Sequence, residues 1–328
     1  MSTRSVTCFA ALFAALVFGA DAWAQQPPWP SKPIRVIVPT TPGAPPDLVA
    51  RVLAEGLTTA LGQTVIVDNR AGAGHIIGTQ AAARAAPDGY TYVLVATPHV
   101  VNPSLHKNMP YDTQKDLEPV TELTSYPMIV VVNAALPVNT VRELVDLAKA
   151  KPGQLNMASA GIASGPHLAG EFFKLSVGIN LMHVPYKGGS AATSAMLTGE
   201  ANLFFDAPTS ALVHMKTGKM RALAVTSRSR LAVVPDVPTM AESGVAGVAG
   251  FDLRLWTGLV APAGTPKDII ARMQAESAKV MALPHVKSRY AAMGTETVGS
   301  TPEQFSALID RDMAMWRKVV KDTGMSAD

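Results

Sequence analysis

The feature that most constrains the fold is an alternation of strand-like and helix-like segments in the N-terminal third of the chain. Ile34–Pro39, Thr64–Asn69 and Tyr90–Thr97 are short runs rich in β-branched and other apolar residues. Between them, residues 47–62 repeat apolar side chains at helical spacing, and an alanine-rich helix is expected near 78–86. This β-α-β-α-β order predicts an α/β protein with a parallel sheet and right-handed crossovers.

A second series of such segments begins at Pro127–Asn133. A helix is expected at Val141–Ala150, where Thr140 and Glu143 form a capping-box pattern. The stretches "GQLNMASAG", "NLMHVPY", "ANLFFDAP" and "RALAVTS" predict further strands, with a helix near His167–Leu175. Because each series holds only a few strands, we expect two α/β lobes. The alternative is a single long sheet.

Two chain crossings are expected to join the lobes, near residues 122–128 and 248–256. The first lobe then takes residues from both ends of the chain. After the second crossing, "LRLWTGLVAPAGTP" predicts a strand and a turn. Pro266 is expected at the first position of the next helix. Thr301 and Gln304 predict a capping box at the start of the last one.

Residues 1–24 have the layout of a secretory signal peptide. Arg4 precedes an apolar core over about residues 9–17, and Ala22 and Ala24 form a small-x-small cleavage pattern. The apolar run is too short for a stable membrane span. We therefore expect cleavage after Ala24 and export of the mature chain to the periplasm. An uncleaved anchor is the alternative.

Composition argues against several classes of function. Cys8 is the single cysteine and lies in the predicted signal, so neither disulfides nor thiol chemistry are expected in the mature chain. A net charge of +3 with scattered basic residues argues against a nucleic-acid partner. No histidine lies in an H-x-H or H-E-x-x-H motif, and no carboxylate pair suits glycosidase chemistry. We therefore predict no metal, no cofactor and no catalytic residue.

The loop "PTTPGAPP" after the first strand holds no ionisable side chain. In open α/β sheets, ligands bind beyond the carboxyl ends of the strands, and helix N-termini attract anions there. We therefore expect this loop to hold a carboxylate or phosphate. The donors are the backbone N–H groups of Thr40, Thr41, Gly43 and Ala44 and the hydroxyls of the two threonines. The prolines of this loop lack an N–H, which weakens such a site. An ordinary connection between strand and helix is the alternative.

Two further loops follow strands and precede helices. "NRAGAGHIIG" resembles a dinucleotide fingerprint only weakly, because the expected acid after the next strand is missing. Close approach of its backbone to a small ligand is the better interpretation. "ASAGIASGPH" offers Ser159, Ser164 and the N–H of Gly161 to an anion. Ser164 and His167 also permit an exported serine hydrolase as an alternative, although no acid is placed as a third member.

Together these stretches resemble the Bug family, the extracytoplasmic solute receptors of tripartite tricarboxylate transporters. The resemblance covers the mature chain from end to end. It is carried by "WPSKPIRVIVPTTPGAPPDLVAR", "LGQTVIVDNRAGAGHIIGTQAAARAAPDGYT", "NPSLHKNMPYDTQKDLEPV", "MASAGIASGPHLAGEFFK", "VPYKGGSAATSAMLTGEANLFFD", "VPTMAESGV" and "WTGLVAPAGTP".

The resemblance implies a type II periplasmic binding fold, in which two α/β lobes joined by a two-crossing hinge close on a ligand. Lobe 1 is expected to contain residues 27–125 and 253–328, and lobe 2 residues 126–252. The resemblance also implies a monomeric receptor, not an enzyme. Its expected ligand is a small organic acid, and its expected partners are the membrane subunits of a tripartite transporter. A receptor that serves signalling without transport is a further alternative.

The ligand loops of the family correspond to particular positions of this chain. Those positions are Thr40, Thr41, Gly43, Ala44, Gly72, Ala73, Ser159, Gly161, Ser164, Tyr186 and Gly188. The chain departs from the family pattern at Ala44, where a second glycine is usual, and at Pro45 and Pro46, where small or hydroxyl residues are usual. It departs again at Ala195, where aspartate is frequent. These departures affect the expected ligand and leave the expected fold unchanged.

Overall fold

The computed structural model describes residues 28–326. The predicted signal peptide, with its cleavage site after Ala24, therefore lies outside the described residues. From Lys32 onward the chain forms one unit, and this unit contains two β-sheets. No helix in the described range has the length and apolar character that a membrane crossing requires.

The strands of residues 28–326 form a six-stranded and a five-stranded sheet, which excludes the single long sheet. The first sheet has the order β11-β4-β10-β3-β1-β2, and the second has the order β7-β6-β8-β5-β9. In chain order the strands are β1 (Ile34–Val38), β2 (Val65–Asn69), β3 (Thr91–Ala96), β4 (Leu117–Pro127), β5 (Ile129–Asn133), β6 (Asn156–Ser159), β7 (Met182–Pro185), β8 (Leu203–Asp206), β9 (Met220–Val225), β10 (Arg254–Pro262) and β11 (Glu296–Thr297).

Both sheets have the same topology, although the sequence shows no internal repeat. In the first sheet β2, β1 and β3 are parallel, as predicted, and β10 runs antiparallel to β3. In the second sheet β7, β6 and β8 are parallel, and β5 runs antiparallel to β8. Each antiparallel strand, β10 or β5, is the first strand after a crossing from the other sheet. The crossings therefore insert one strand into each sheet.

Helices cover the connections between the strands. In chain order they are α1 (Pro45–Leu61), α2 (Ile76–Ala83), α3 (Pro98–Leu105), α4 (Val141–Ala150), α5 (Gly165–Val177), α6 (Gly189–Thr198), α7 (Pro208–Lys216), α8 (Lys267–Ala282), α9 (Pro284–Ala291) and α10 (Pro302–Thr323). Short 3₁₀ turns lie at Ala73–His75 and Ala241–Ser243.

Helix starts show where local signals were decisive. The capping box of Thr301 and Gln304 is confirmed. At α4, Thr140 accepts the N–H of Glu143 as predicted, but the Glu143 carboxylate accepts from Asn139, so the reciprocal bond of a capping box is missing. Pro266 precedes α8 as its N-cap and is not its first residue, which corrects the prediction.

Other helix boundaries were wrong by a few residues. Helix α1 begins at Pro45, before the expected residue 47, because prolines suit a first turn whose N–H groups have no intrahelical partner. Helix α2 (Ile76–Ala83) begins before residue 78 and ends before residue 86, the expected bounds of this helix. Helix α3 was not predicted at all, because its two prolines hid the helical pattern.

The two crossings are bound to each other through Thr226, which is fully buried. The first crossing is Met128, between β4 and β5. Its N–H donates to Thr226 Oγ1 at 2.8 Å, and its carbonyl accepts the N–H of Thr226 at 3.0 Å. On the second crossing, Leu253 O accepts the Thr226 hydroxyl at 2.6 Å. One residue thus hydrogen-bonds to both crossings. The exact lobe boundaries stay a prediction.

The C-terminal helix α10 packs on elements of both sheets. Phe305 lies edge-on against Trp256 of β10, with ring centroids 5.3 Å apart. Trp316 contacts Phe172 of α5, with ring centroids 6.4 Å apart. Trp256, Phe305 and Trp316 are buried, so these contacts belong to the apolar core. They hold helix α5 in place, and the N-terminus of α5 directly follows the loop after β6, one of the candidate ligand loops.

Candidate functional site

The carboxyl ends of the parallel strands in both sheets lie on the side of the crossings. In the first sheet, Ala96 ends β3 and pairs with Thr257, close to the start of β10 after the second crossing. In the second sheet, Asp206 ends β8 and pairs with Ile129, the residue after the first crossing. Ligands of α/β sheets bind outside such strand ends. The loops that follow these strands are therefore the candidate site.

The loop after β1 is organised by Asp47, which is fully buried. Its carboxylate accepts hydrogen bonds from the Gly43 N–H at 2.8 Å, from Arg51 Nε at 2.9 Å and from Asn69 Nδ2 at 2.9 Å. Burial by itself raises the pKa of a carboxyl, but the hydrogen bonds from Arg51, Gly43 and Asn69 outweigh it, and the pKa of Asp47 lies below its ordinary value. The N–H of Gly43 is therefore engaged within the protein, contrary to expectation.

The hydroxyl of Thr40 is a buried polar group of this loop that has no partner among residues 28–326. The Ala44 N–H lies 3.3 Å from the carbonyl oxygen of Thr41, to which it donates, and Pro45 and Pro46 contribute no N–H. Thr40 Oγ1 is buried and has no hydrogen-bond partner among residues 28–326. A buried polar atom without a partner costs free energy until another group supplies one. The Thr40 hydroxyl, which was among the expected ligand groups, is therefore available to a partner from outside residues 28–326.

Backbone strain is concentrated in the other two candidate loops. Among the described residues, the non-glycine residues with positive φ are Ala73 at 45°, His75 at 81° and Ala163 at 60°. Conformations of this kind cost about 1–3 kcal/mol each and cluster at ligand sites. Only Ala73 belongs to the predicted set. His75 and Ala163 escaped prediction because no sequence pattern signals a strained φ at an alanine or a histidine.

The glycine loop after β2 is tied to helix α3. Asn102 Nδ2 donates to the carbonyl of Gly74 at 2.8 Å, and the His75 N–H donates to the carbonyl of Gly72 at 3.1 Å. His75 Nδ1 is buried without a partner among the described residues. Burial lowers the pKa of His75 to about 4, so its imidazole is neutral at pH 7. The predicted residues Gly72 and Ala73 thus lie beside an uncharged, unpaired imidazole.

Ser159 supports the serine loop from behind. It is fully buried, its Oγ lies 2.6 Å from His183 Nε2, and it accepts the Gly161 N–H at 3.2 Å. Its carbonyl accepts the Tyr186 N–H at 2.9 Å. The structure therefore brings Ser159, Gly161 and Tyr186 together as expected. In this structure the hydroxyl of Ser159 and the amide of Gly161 make hydrogen bonds within the protein.

Ser164, directly before helix α5, shares one property with Thr40 of the first loop. Its Oγ is buried with no partner within residues 28–326, and it does not cap helix α5. His167 lies one turn further on, but its Nδ1 accepts the N–H of Ala163 at 3.1 Å. That ring nitrogen cannot also take a proton from Ser164. The hydrolase alternative therefore lacks the serine–histidine hydrogen bond that activates a nucleophile.

The remaining predicted residues lie around the start of helix α6. The hydroxyl of Tyr186 donates to Glu200 Oε1 at 3.0 Å, and Gly188 precedes the helix with φ 96°. The carbonyl oxygen of Tyr186 would lie 3.6 Å from a Cβ at Gly161. A Cβ at Gly165 would lie 2.2 Å from Leu255 Cδ1, so the end of the serine loop abuts β10 of the first sheet.

A family model described as "Tripartite tricarboxylate transporter family receptor" matches residues 49–325. The match spans most of the chain and includes the glycine and serine loops, and it begins after the loop that follows β1. The chain belongs to this family. Its members are solute receptors, and the Bug resemblance read from the sequence is confirmed.

Relatives of this receptor support the same assignment. Protein BugT of Bordetella pertussis is 37% identical over 298 residues, or 90% of each chain. The periplasmic binding protein BugD superposes with a TM-score of 0.76 at 34% identity and covers 91% of this chain and 99% of its own. The R. palustris protein Rpa4515 with adipate superposes with a TM-score of 0.79 at 29% identity. The superposition covers 91% of this chain and 99% of Rpa4515. MatC from Rhodopseudomonas palustris with bound malate superposes with a TM-score of 0.76 at 29% identity. The superposition covers 89% of this chain and 100% of MatC. The periplasmic binding fold is therefore confirmed.

Two histidines stack behind the serine loop of this receptor. The rings of His167 and His183 lie 3.9 Å apart at an interplanar angle of 16°. Glu171 Oε1 lies 3.8 Å from His167 Nε2 and accepts a hydrogen bond from Lys174 at 2.8 Å. Burial, helped by the charges of His183 and Lys174, lowers the pKa of His167 to about 3, and burial also lowers that of His183. Both rings are therefore neutral at pH 7 and hold Ser159 and Ala163 by neutral hydrogen bonds.

The receptor is expected to lose stability on acidification, and His167→Gln is expected to make the loss shallower. The unfolded imidazole binds a proton near pH 6.5, whereas the folded pKa of His167 is about 3. Between these values the unfolded state binds more protons, so the free energy of unfolding falls with pH, by up to about 1.4 kcal/mol per pH unit for this group. Urea unfolding from about pH 7 to pH 4 measures the slope.

Three carboxyls, those of Glu122, Asp206 and Asp312, oppose this trend in both proteins, because burial raises the pKa of each. Burial, with the nearby charges of Asp312 and Glu296, raises the pKa of Glu122 to about 7, and burial raises that of Asp206 to about 6. They stabilise the folded state as the pH falls through these values, so only the difference between parent and variant reports on the histidine. The exposed His285, changed to Gln, is the control. Equal slopes for parent and His167→Gln would contradict the prediction.

A groove of about 630 Å³ lies elsewhere, between β4, β10 and α10. Its charged side chains largely pair with one another: Arg254 with Glu296 at 2.6 Å, and Arg311 with Asp312 at 3.1 Å. None of the predicted site residues lines this groove. Across the part of the chain that the structure describes, no group of three or more His, Cys, Asp and Glu side chains is arranged to hold a metal ion.

Asp206 is a residue of the candidate site that sequence reasoning missed. It ends β8 at the same sheet edge as the serine loop and is 4% exposed. Its Oδ2 has no hydrogen-bond partner in the described chain. The stretch "ANLFFDAP" was read only as a strand. The available signal was an acid in the last position of an otherwise apolar strand, which places a carboxylate at a strand's carboxyl end.

Proposed function

We propose that this protein is a periplasmic receptor that captures a small carboxylate between its lobes and delivers it to the membrane subunits of a tripartite transporter. One observation carries the proposal. The loops after β1 and β6 follow strand ends on the side of the crossings, and each holds one buried hydroxyl, Thr40 or Ser164, without a partner among residues 28–326. Hydroxyl donors suit a carboxylate ligand. The adipate and malate in solved relatives support this ligand class.

The proposed mechanism is closure of lobe 1 (residues 27–125 and 253–328) on lobe 2 (residues 126–252). A ligand that contacts both lobes binds the closed state more tightly and shifts the population toward it. Met128 on the first crossing and Leu253 on the second are the connections about which such a motion would occur. We further propose that the protein acts as a monomer and carries out no catalysis, since every predicted role requires binding only.

A thermal-shift screen of small organic acids tests the proposal. A ligand at about 100 times its Kd stabilises the folded state by about 2.7 kcal/mol, so binders are expected to raise Tm by several degrees. Radius of gyration from X-ray scattering is expected to fall at saturation because the lobes close. The acids must be recovered unchanged after incubation. Turnover that disappears in Ser164→Ala would favour the hydrolase, and the absence of any stabilising acid would contradict the receptor.

A further inference from the structure

Asp206 combines burial with an unused hydrogen-bonding atom. Its side chain is 4% exposed, and Oδ2 has no partner within the described range. The hydroxyl of Ser210 and the N–H of Ala207, both at the start of α7, bond to the carboxyl group. Ser210 in turn lies 3.4 Å from Thr193 Oγ1 of helix α6. Ser210 and Ala207 thus give the carboxyl group a local structural role, and this role does not explain the unpaired Oδ2.

The sheet register places this carboxyl at the candidate site. Phe204 of β8 pairs with Ala158 of β6, so β8 ends at Asp206 where the serine loop leaves β6 after Ser159. On its other side, Asp206 pairs with Ile129, directly after the first crossing. Asp206 therefore lies at the edge of the second sheet that carries the serine loop, next to the connection with the first sheet.

The chemistry of an ionised carboxylate limits what approaches it. Burial raises the pKa of Asp206 to about 6, against the hydrogen bonds of Ser210 and Ala207, so at pH 7 the group is mostly ionised and only accepts hydrogen bonds. A second carboxylate beside it is repelled, whereas a hydroxyl or an ammonium satisfies it. A buried acceptor left unpaired disfavours ligands that bring no donor.

Building on the proposed function, we propose that Asp206 determines specificity by accepting a hydrogen bond from the ligand. The ligand is then a small carboxylic acid that also carries a hydroxyl or an ammonium group. The loop hydroxyls hold its carboxylate, and Asp206 holds its donor. This narrows the ligand class from organic acids in general to hydroxy acids and amino acids.

The test compares acids that differ only in the donor. Calorimetric titration at pH 7 uses the sets succinate, malate and aspartate; propionate, lactate and alanine; and adipate and 2-aminoadipate. The parent protein is expected to bind a substituted member at least about tenfold more tightly than its unsubstituted counterpart. Malate against aspartate distinguishes hydroxyl from ammonium. In Asp206→Asn the shape and one acceptor are kept, and the ratio is expected to fall toward one.

Asp312→Asn is the matched control. Asp312 is an equally buried carboxylate, but its oxygens are bonded to Trp256 Nε1 and to Arg311, and it lies in α10. Asp312→Asn is expected to leave unchanged the ratio of affinities for substituted and unsubstituted acids. Equal affinity for substituted and unsubstituted acids in the parent overturns the inference and leaves the receptor proposal standing. An unchanged ratio in a folded Asp206→Asn also overturns it. If no acid of any set binds, the receptor proposal fails as well.

Discussion

Replacing Thr40 by Val and Ser164 by Ala is expected to weaken ligand binding while it stabilises the ligand-free protein. Both hydroxyl oxygens are buried and lack a partner among residues 28–326, so each costs folding free energy. A hydrogen bond to a charged acceptor contributes about 1.5–3 kcal/mol, so each loss is expected to weaken binding about tenfold to a hundredfold. The double variant should lose the larger part of the affinity. A fall in affinity together with a rise in stability is the result that identifies these hydroxyls as ligand contacts.

Two control variants separate a ligand contact from a packing effect. Ser277 Oγ is also buried without a partner in the described chain, but it lies in α8, away from the loops. Ser277→Ala is therefore expected to stabilise without changing affinity. Thr58 has partners for its hydroxyl, at 2.7 Å and 3.0 Å, so Thr58→Val is expected to destabilise without changing affinity. Calorimetric titration measures the ligand affinity of the four single variants, and urea unfolding measures their stability, each against the parent. If Thr40→Val and Ser164→Ala bind as the parent does, the loops are only connectors.

Gly78→Ala is expected to lower both stability and ligand affinity. A Cβ at Gly78 would lie 2.8 Å from the carbonyl oxygen of Arg70 and 2.9 Å from Cα of Pro39. These are backbone atoms at the starts of both loops of the first sheet, so helix α2 must withdraw from them. Helix propensity alone predicts about 1 kcal/mol of stabilisation for this change. Overpacking destabilises by about 1–3 kcal/mol and is expected to outweigh the gain in helix propensity, because backbone atoms cannot rotate away as a side chain can.

The loss of affinity follows from the loop displacement, since Thr40 directly follows Pro39, and Gly72 and Ala73 come shortly after Arg70. Denaturant midpoints and calorimetric titration measure the two effects. Gly250→Ala is the control, because a Cβ there meets no atom within 4 Å and its φ is not positive. A Gly78→Ala protein as stable as the parent and with parental affinity would show that α2 and the loops move independently.

Much of the fold could be read from the sequence. The β-branched runs and the helical periodicity predicted β1, β2, β3 and α1 within a few residues, because burial against a sheet imposes these spacings. Parallel pairing of the three strands followed from their helical connections. The antiparallel insertion of β10 and β5 did not, since no local pattern tells a strand which sheet it will join.

The position of the candidate site was predictable in outline, whereas the hydrogen bonds that its donors make within the protein were not. The loops were found because they follow strands and precede helices. The sequence suggested backbone amides as ligand donors, yet Gly43 donates to Asp47 and Gly161 donates to Ser159. Which donors are already used depends on side chains that reach back from the helix or from the strand end. Such hydrogen bonds have no fixed spacing in a sequence.

The sequence by itself determined the α/β class, the order of the elements, the family and the three loops that form the candidate site. Only the tertiary structure decided that Thr40 and Ser164 keep unpaired hydroxyls, that Ala163 and His75 are strained, and that Asp206 joins them. The reason is physical. Periodicity and composition record which side chains are buried, whereas the state of a polar atom depends on neighbours that are distant in the chain and become adjacent only on folding.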